Sequence, residues 1–128
     1  MLIIMKSISQ YNNVEKARTL HQLFPSAVKG FIAFAKAHAQ NTIDHKDELS
    51  KNWGSQPFTF DFWLQLAEEV VKKTKFYNGK LVTNGKLFSE QLFDGYLAIY
   101  TNNCFDLYSR QKDCPVKFKQ AIALFILP

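Results

Sequence analysis

Apolar side chains recur along most of this chain at the three- and four-residue spacing that is typical of amphipathic helices. The pattern is clearest in residues 59–75, where one broad apolar stripe runs from Phe62 to Val71. Thr59 or Asp61 can cap the first turn, because their side-chain oxygens can accept a hydrogen bond from a free backbone N–H. We therefore predict a helix over 59–75.

Two further helices are predicted upstream of this one. Asn12 and Glu15 have the spacing of a capping box, so a first helix begins there and Pro25 ends it. Ser26 is the predicted cap of a second helix that continues to about Asn41. Because this second helix is apolar on most of its circumference, we expect it to occupy the centre of the core.

A polar segment follows at 42–58, with a charged run at 44–48 that can hold a short helical turn before a Gly/Pro loop. A domain boundary here would leave two pieces that are each too small to bury their own apolar stripe. We therefore expect residues 1–128 to form a single helical domain.

Residues 76–88 contain two Asn-Gly pairs, at Asn78 and Asn84. Asn-Gly favours tight turns because both residues tolerate a positive φ angle. The segment is therefore predicted to form a short β-hairpin or two successive turns.

Two more helices are predicted in the remainder of the chain. Ser89 can cap the first, which continues to Tyr108 or breaks at Asn102-Asn103, and Pro115 lies in the first turn of the second. The apolar face of the first includes Leu92, Phe93, Tyr96, Leu97 and Tyr100. The predicted fold class is all-α, a single small bundle of about five helices.

Composition agrees with a folded protein, since 47% of residues are apolar and 21% are charged. The apolar start at Met1–Met5 is shorter than the core of a signal peptide or a membrane span, and Lys6 ends it. We expect a soluble, cytoplasmic protein with no membrane partner.

Cys104 and Cys114 are too few for a disulfide framework or a zinc site. The favoured interpretation is two buried, reduced thiols, and the alternative is a bridge that would need an oxidising compartment.

No residue pattern indicates catalysis. His21, His38 and His45 lack the spacing of helical metal sites, and the isolated glycines form neither a phosphate loop nor a nucleophile elbow. We therefore predict no catalytic residue, metal ligand or cofactor, and we keep an enzyme or metal-binding bundle as the third hypothesis.

All of the net charge of +5 lies in the second part of the chain, because residues 1–71 contain equal numbers of acids and bases. Basic side chains interleaved with aromatic ones can bind phosphates and stacked bases. The second hypothesis is therefore a nucleic-acid-associated protein. Its candidate residues are Lys72, Lys73, Lys75, Lys80, Lys86, Arg110, Lys112, Lys117 and Lys119.

The chain has 12 Phe, 5 Tyr and 2 Trp residues, more aromatic side chains than a thin bundle can easily bury. Trp53, Phe58, Phe60 and Trp63 surround the Gly/Pro loop and are the candidate interaction surface. The leading hypothesis is a non-enzymatic protein-interaction module, either with a protein partner or as a homodimer. A strip of small residues, Gly30, Ala33 and Ala37, would suit the homodimer.

Overall fold

The computed structural model describes residues 12–74, 76–77, 80–81, 92–93 and 95–125. Most of these residues are helical, which confirms the all-α prediction. The helices are α1 (Asn13–Leu23), α2 (Pro25–Asp44), α3 (Lys46–Lys51), α4 (Phe60–Lys73), α5 (Leu97–Ser109) and α6 (Val116–Phe125). A small helical bundle is therefore present, and the six-residue α3 occupies part of the predicted polar break.

The start of α1 has the predicted capping box. The Asn12 side chain accepts a hydrogen bond from the Glu15 backbone N–H at 2.8 Å, and its amide donates to the Glu15 carboxylate at 3.2 Å. The predicted cap of α2 is wrong, because Pro25 is the first residue of that helix and Ser26 lies inside it. Proline suits this position, since the first N–H groups of a helix have no partner within it and the ring holds φ near the helical value.

The end of α2 also lies beyond the predicted residue, at Asp44 instead of Asn41. Thr42 is buried in the last turns, and its hydroxyl donates to the His38 carbonyl at 3.1 Å. The Thr42 hydroxyl also lies 3.1 Å from the Tyr100 hydroxyl, which belongs to α5. This contact spans 58 positions of sequence, so the pattern around Asn41 cannot show it.

Helix α4 begins as predicted, because the Thr59 hydroxyl accepts a hydrogen bond from the Phe62 backbone N–H at 3.2 Å. It is followed by two short antiparallel strands, β1 (Phe76–Tyr77) and β2 (Lys80–Leu81), in which Phe76 lies opposite Leu81. This pairing agrees with the hairpin alternative for the first part of 76–88. The second Asn-Gly pair lies outside the described residues.

The predicted helix from Ser89 was expected to continue through Gly95, and that continuity is wrong. Gly95 has a φ of 56°, which is left-handed backbone, and α5 begins only at Leu97. From there α5 continues to Ser109 without the break considered at Asn102-Asn103. Ser89 itself lies outside the described residues.

Helix α2 is the centre of the bundle, as its apolar circumference predicts, and packs against α1, α3, α4 and α5. Phe31 stacks on Phe105 with ring centroids 3.7 Å apart and planes inclined by 4°. At the position before Phe31, a Cβ on Gly30 would lie only 2.9 Å from the Tyr108 hydroxyl, so the glycine leaves room for the end of this α5 side chain.

Helices α4 and α5 both run antiparallel to α2. Thr42 near the end of α2 and Trp63 near the start of α4 both contact Tyr100 near the start of α5. Toward the end of α5, Tyr108 contacts Phe31 in the first half of α2. We call the end of the bundle where α2 ends and α4 begins the aromatic end, and the opposite end the basic end.

Candidate functional site

The four aromatic residues predicted as an interaction surface lie together at the aromatic end. The Trp53 indole N–H donates to the Phe58 carbonyl at 2.7 Å, which folds the Gly/Pro loop back on itself. The Trp53 ring lies 5.3 Å from Phe60 and 6.0 Å from Trp63, and Phe58 lies 6.4 Å from Trp63. Phe60 is buried and contacts the Trp53 ring, while Trp53, Phe58 and Trp63 are half-buried.

Two more aromatic residues extend this group. Phe62 is half-buried, and its ring lies 5.4 Å from Phe58 and 6.1 Å from Tyr96. Tyr96 is 75% exposed, although the pattern places it on the apolar face of a helix. That expectation is wrong for Tyr96, which is the N-cap residue of α5 and directly follows Gly95, where the predicted helix is interrupted. We call Trp53, Phe58, Phe62, Trp63 and Tyr96 the aromatic surface.

Tyr100 anchors the aromatic surface to the centre of the bundle. Its ring lies 4.6 Å from Trp63 and 5.9 Å from His38, and it is fully buried. Because Thr42 donates its one hydroxyl hydrogen to the His38 carbonyl, the Tyr100 hydroxyl is the donor to Thr42. Burial raises the pKa of Tyr100 and lowers the pKa of His38, since both groups are least stable when charged in an apolar setting. The surface thus rests on neutral, packed side chains.

The aromatic end carries more acids than bases. Four exposed carboxylates, Asp44, Asp47, Glu48 and Asp61, stand beside two exposed lysines, Lys46 and Lys51. Over residues 44–61 the formal balance is therefore −2, in a chain whose total is +5. The segment 44–61, which carries Trp53 and Phe58, thus has a formal charge opposite in sign to that of the whole protein.

The structure describes the side chains of six of the nine basic residues proposed for nucleic acid. They are Lys72, Lys73, Arg110, Lys112, Lys117 and Lys119. Lys75 and Lys86 lie outside the described residues, and Lys80 is described only as part of β2. Two of the six form ion pairs within the chain, Lys73 with Glu69 at 3.9 Å and Arg110 with Asp106 at 2.9 Å.

These six residues lie toward one end of the bundle. Lys72 and Lys73 are in the last turn of α4, and Arg110 follows the last residue of α5. Because α4 and α5 run parallel to one another, their ends share the basic end of the bundle. Lys112 lies in the connection between α5 and α6, and Lys117 lies in the first turn of α6. Phe118 of α6 contacts Phe24, which precedes α2.

The remaining candidate residues are distributed over several elements of the bundle. Among the described residues, no group of three His, Cys, Asp or Glu side chains is placed to hold a metal ion. His21 lies on α1 and His45 between α2 and α3, on different elements. Cys104 and Cys114 are both free and buried, as favoured from the sequence. Of the small-residue strip, Gly30 faces Tyr108 of the same chain, while Ala33 and Ala37 are exposed.

None of the helices that the structure describes is long and apolar enough to cross a lipid bilayer. No protein-family model, curated protein or solved structure matches this chain. The interpretation of its function therefore depends on the arrangement of its own side chains.

Proposed function

We propose that this chain is a non-enzymatic protein-interaction module that binds a protein partner, or a second copy of itself, through the aromatic surface. The observation that carries the proposal is the run of ring contacts from Trp53 to Tyr96, which ends in a tyrosine that is 75% exposed. Aromatic side chains are enriched at the centres of protein interfaces and supply a large share of their binding energy.

The support beneath the surface favours binding. The buried Phe60 contacts Trp53, the buried Tyr100 contacts Trp63, and the Trp53 hydrogen bond holds the loop in place. Side chains that are already ordered lose little conformational entropy when a partner binds, so more of the contact energy appears as affinity.

The proposal is tested by placing a charge within the surface. Tyr96→Asp introduces a carboxylate at its most exposed ring, and Leu124→Asp is the matched control, since Leu124 is 61% exposed on α6. Loss of a central aromatic contact costs about 2 kcal/mol or more, a decrease in affinity of roughly thirtyfold. We expect immobilised wild-type protein and Leu124→Asp to retain the same partner, identified by mass spectrometry, and Tyr96→Asp to lose it.

Light scattering of the same three proteins tests the homodimer form of the proposal, in which only Tyr96→Asp is monomeric. Circular dichroism checks that all three proteins keep their helices. The proposal is wrong if all three retain the same proteins and have the same mass in solution.

A second candidate function is nucleic-acid binding at the basic end. What supports it is that Lys72, Lys112 and Lys117 are exposed toward the same end of the bundle. Fluorescence anisotropy with labelled single- and double-stranded DNA at several salt concentrations would test it. For duplex DNA, each phosphate contact contributes about −0.9 to the slope of log affinity against log salt.

The matched pair of variants for this test is Lys72→Gln/Lys112→Gln/Lys117→Gln and, at the aromatic end, Lys46→Gln/Lys51→Gln. We expect the triple variant alone to bind more weakly and with a shallower slope. Undetectable binding at low salt, or an equal loss in both variants, would remove this candidate.

A further inference from the structure

The charge beside the aromatic surface restricts the chemistry of what it can bind. Asp61 stands in the first turn of α4 between Phe60 and Phe62, and it is exposed. Helix α3, which carries Asp47 and Glu48, packs directly against α4. Asp47, Glu48 and Asp61 therefore lie exposed on two packed helices, one of which carries Phe62 and Trp63 of the aromatic surface. Two acids near the basic end, Glu69 and Asp106, instead form ion pairs.

Exposed aromatic rings next to carboxylates attract cations in two ways. The face of an aromatic ring carries negative potential and attracts an ammonium or guanidinium group within about 6 Å of its centroid. A nearby carboxylate adds ordinary charge attraction, and the planar guanidinium of arginine can both stack on a ring and pair with a carboxylate. An anionic segment would meet repulsion from the same carboxylates.

We infer that the partner segment bound at the aromatic surface is cationic, with arginine or lysine side chains over its exposed rings and Asp61 among their counter-ions. This inference rests on the proposed function and specifies the partner's chemistry. A purely apolar partner and an anionic partner are the alternatives that the test must separate.

The chain has a built-in reporter for this test. Its two tryptophans, Trp53 and Trp63, both belong to the aromatic surface, so intrinsic tryptophan emission reports binding there and not at the basic end. The probes are two short capped peptides of equal length, one alternating arginine with leucine and the other alternating glutamate with leucine. The net charge of +5 would by itself favour the anionic peptide. If the arginine peptide binds at the tryptophans more tightly than the glutamate peptide, the cause must be the charge near the aromatic surface and not the net charge of the protein.

We expect the arginine peptide to change the tryptophan emission at a lower concentration than the glutamate peptide. Asp61→Asn should weaken its binding about two- to fivefold, and Tyr96→Ala by a similar factor, which corresponds to one exposed cation–π or charge contact. The controls are Asp113→Asn, which removes an exposed acid near the basic end, and Leu124→Ala, which removes an exposed apolar side chain on α6. Neither control should change the affinity.

If both peptides bind equally well and Tyr96→Ala weakens both, the cationic preference is overturned and the aromatic surface remains the binding site. An arginine-peptide response that Tyr96→Ala and Asp61→Asn do not change would also overturn the inference, because binding would then not involve the exposed ring and its neighbouring acid. The proposed function is decided separately, by the capture and light-scattering comparison of Tyr96→Asp with Leu124→Asp.

Discussion

Tyr100 joins the aromatic surface to the central helix, and its hydroxyl can be removed while its ring stays. The ring lies 4.6 Å from Trp63, and the hydroxyl donates to the Thr42 oxygen at 3.1 Å. Tyr100→Phe therefore removes one buried hydrogen bond and keeps the ring contacts. Thr42 keeps its other hydrogen bond, in which its hydroxyl donates to the His38 carbonyl.

The loss of stability expected for Tyr100→Phe follows from this geometry. A buried hydrogen bond between neutral groups contributes about 1 kcal/mol to the free energy of unfolding. At about 2.1 cal/mol/K of unfolding entropy per residue, the 128 residues of this chain convert 1 kcal/mol into a Tm decrease of about 4 °C. Thr42→Val should cost more, about 1–3 kcal/mol, because it leaves the fully buried Tyr100 hydroxyl without an acceptor.

The two substitutions should not be additive. In the Tyr100→Phe background no hydroxyl is left unsatisfied, so Thr42→Val should cost about 1 kcal/mol less than in the wild type. Urea unfolding of the wild type, the two single variants and the double variant measures these costs, with far-ultraviolet circular dichroism as the first probe and tryptophan emission as the second. Tyr108→Phe is the matched control, which removes a tyrosine hydroxyl from the same helix. Additive costs, or a Tyr100→Phe protein as stable as the wild type, would refute the reasoning.

Three further predictions concern groups elsewhere in the bundle. Burial lowers the pKa of His38, so the unfolded chain binds this proton at a higher pH than the folded protein does. The free energy of unfolding should therefore decrease below about pH 6.5, and it should decrease less in His38→Gln. Urea titrations at several pH values measure both effects. Burial raises the pKa of the Cys104 thiol to about 12, so a thiol reagent at about pH 8 should label it only after unfolding, and rapid labelling of the native protein by peptide mapping would contradict this. Gly30→Ala adds about 1 kcal/mol of helix propensity but brings its Cβ to 2.9 Å from the Tyr108 hydroxyl. Thermal unfolding should therefore show a larger increase in stability when the substitution is made in a Tyr108→Phe background. Equal increases in both backgrounds would contradict the contact.

The sequence determined the features that depend on neighbours within a few residues. Asn12 with Glu15 and Thr59 with the Phe62 N–H are caps over three positions, and their partners can be read from the local sequence. The apolar circumference of α2 likewise indicated a central helix, because only burial among other helices removes so much apolar surface from water. Local spacing also brought Trp53 and Trp63 into one predicted group.

The tertiary structure decided which of the candidate side chains are exposed and which of them lie at the same end of the bundle. Tyr96 lies exposed at the N-cap of α5, directly after the left-handed Gly95 that interrupts the predicted helix, and no periodicity reveals that interruption. The end of α2 extends to Asp44 where the Thr42 and Tyr100 hydroxyls meet. Basic residues of α4, α5 and α6 share one end because α4 and α5 both oppose α2. Each of these features depends on contacts between residues that are far apart in the chain. A local sequence pattern does not show which of these contacts form.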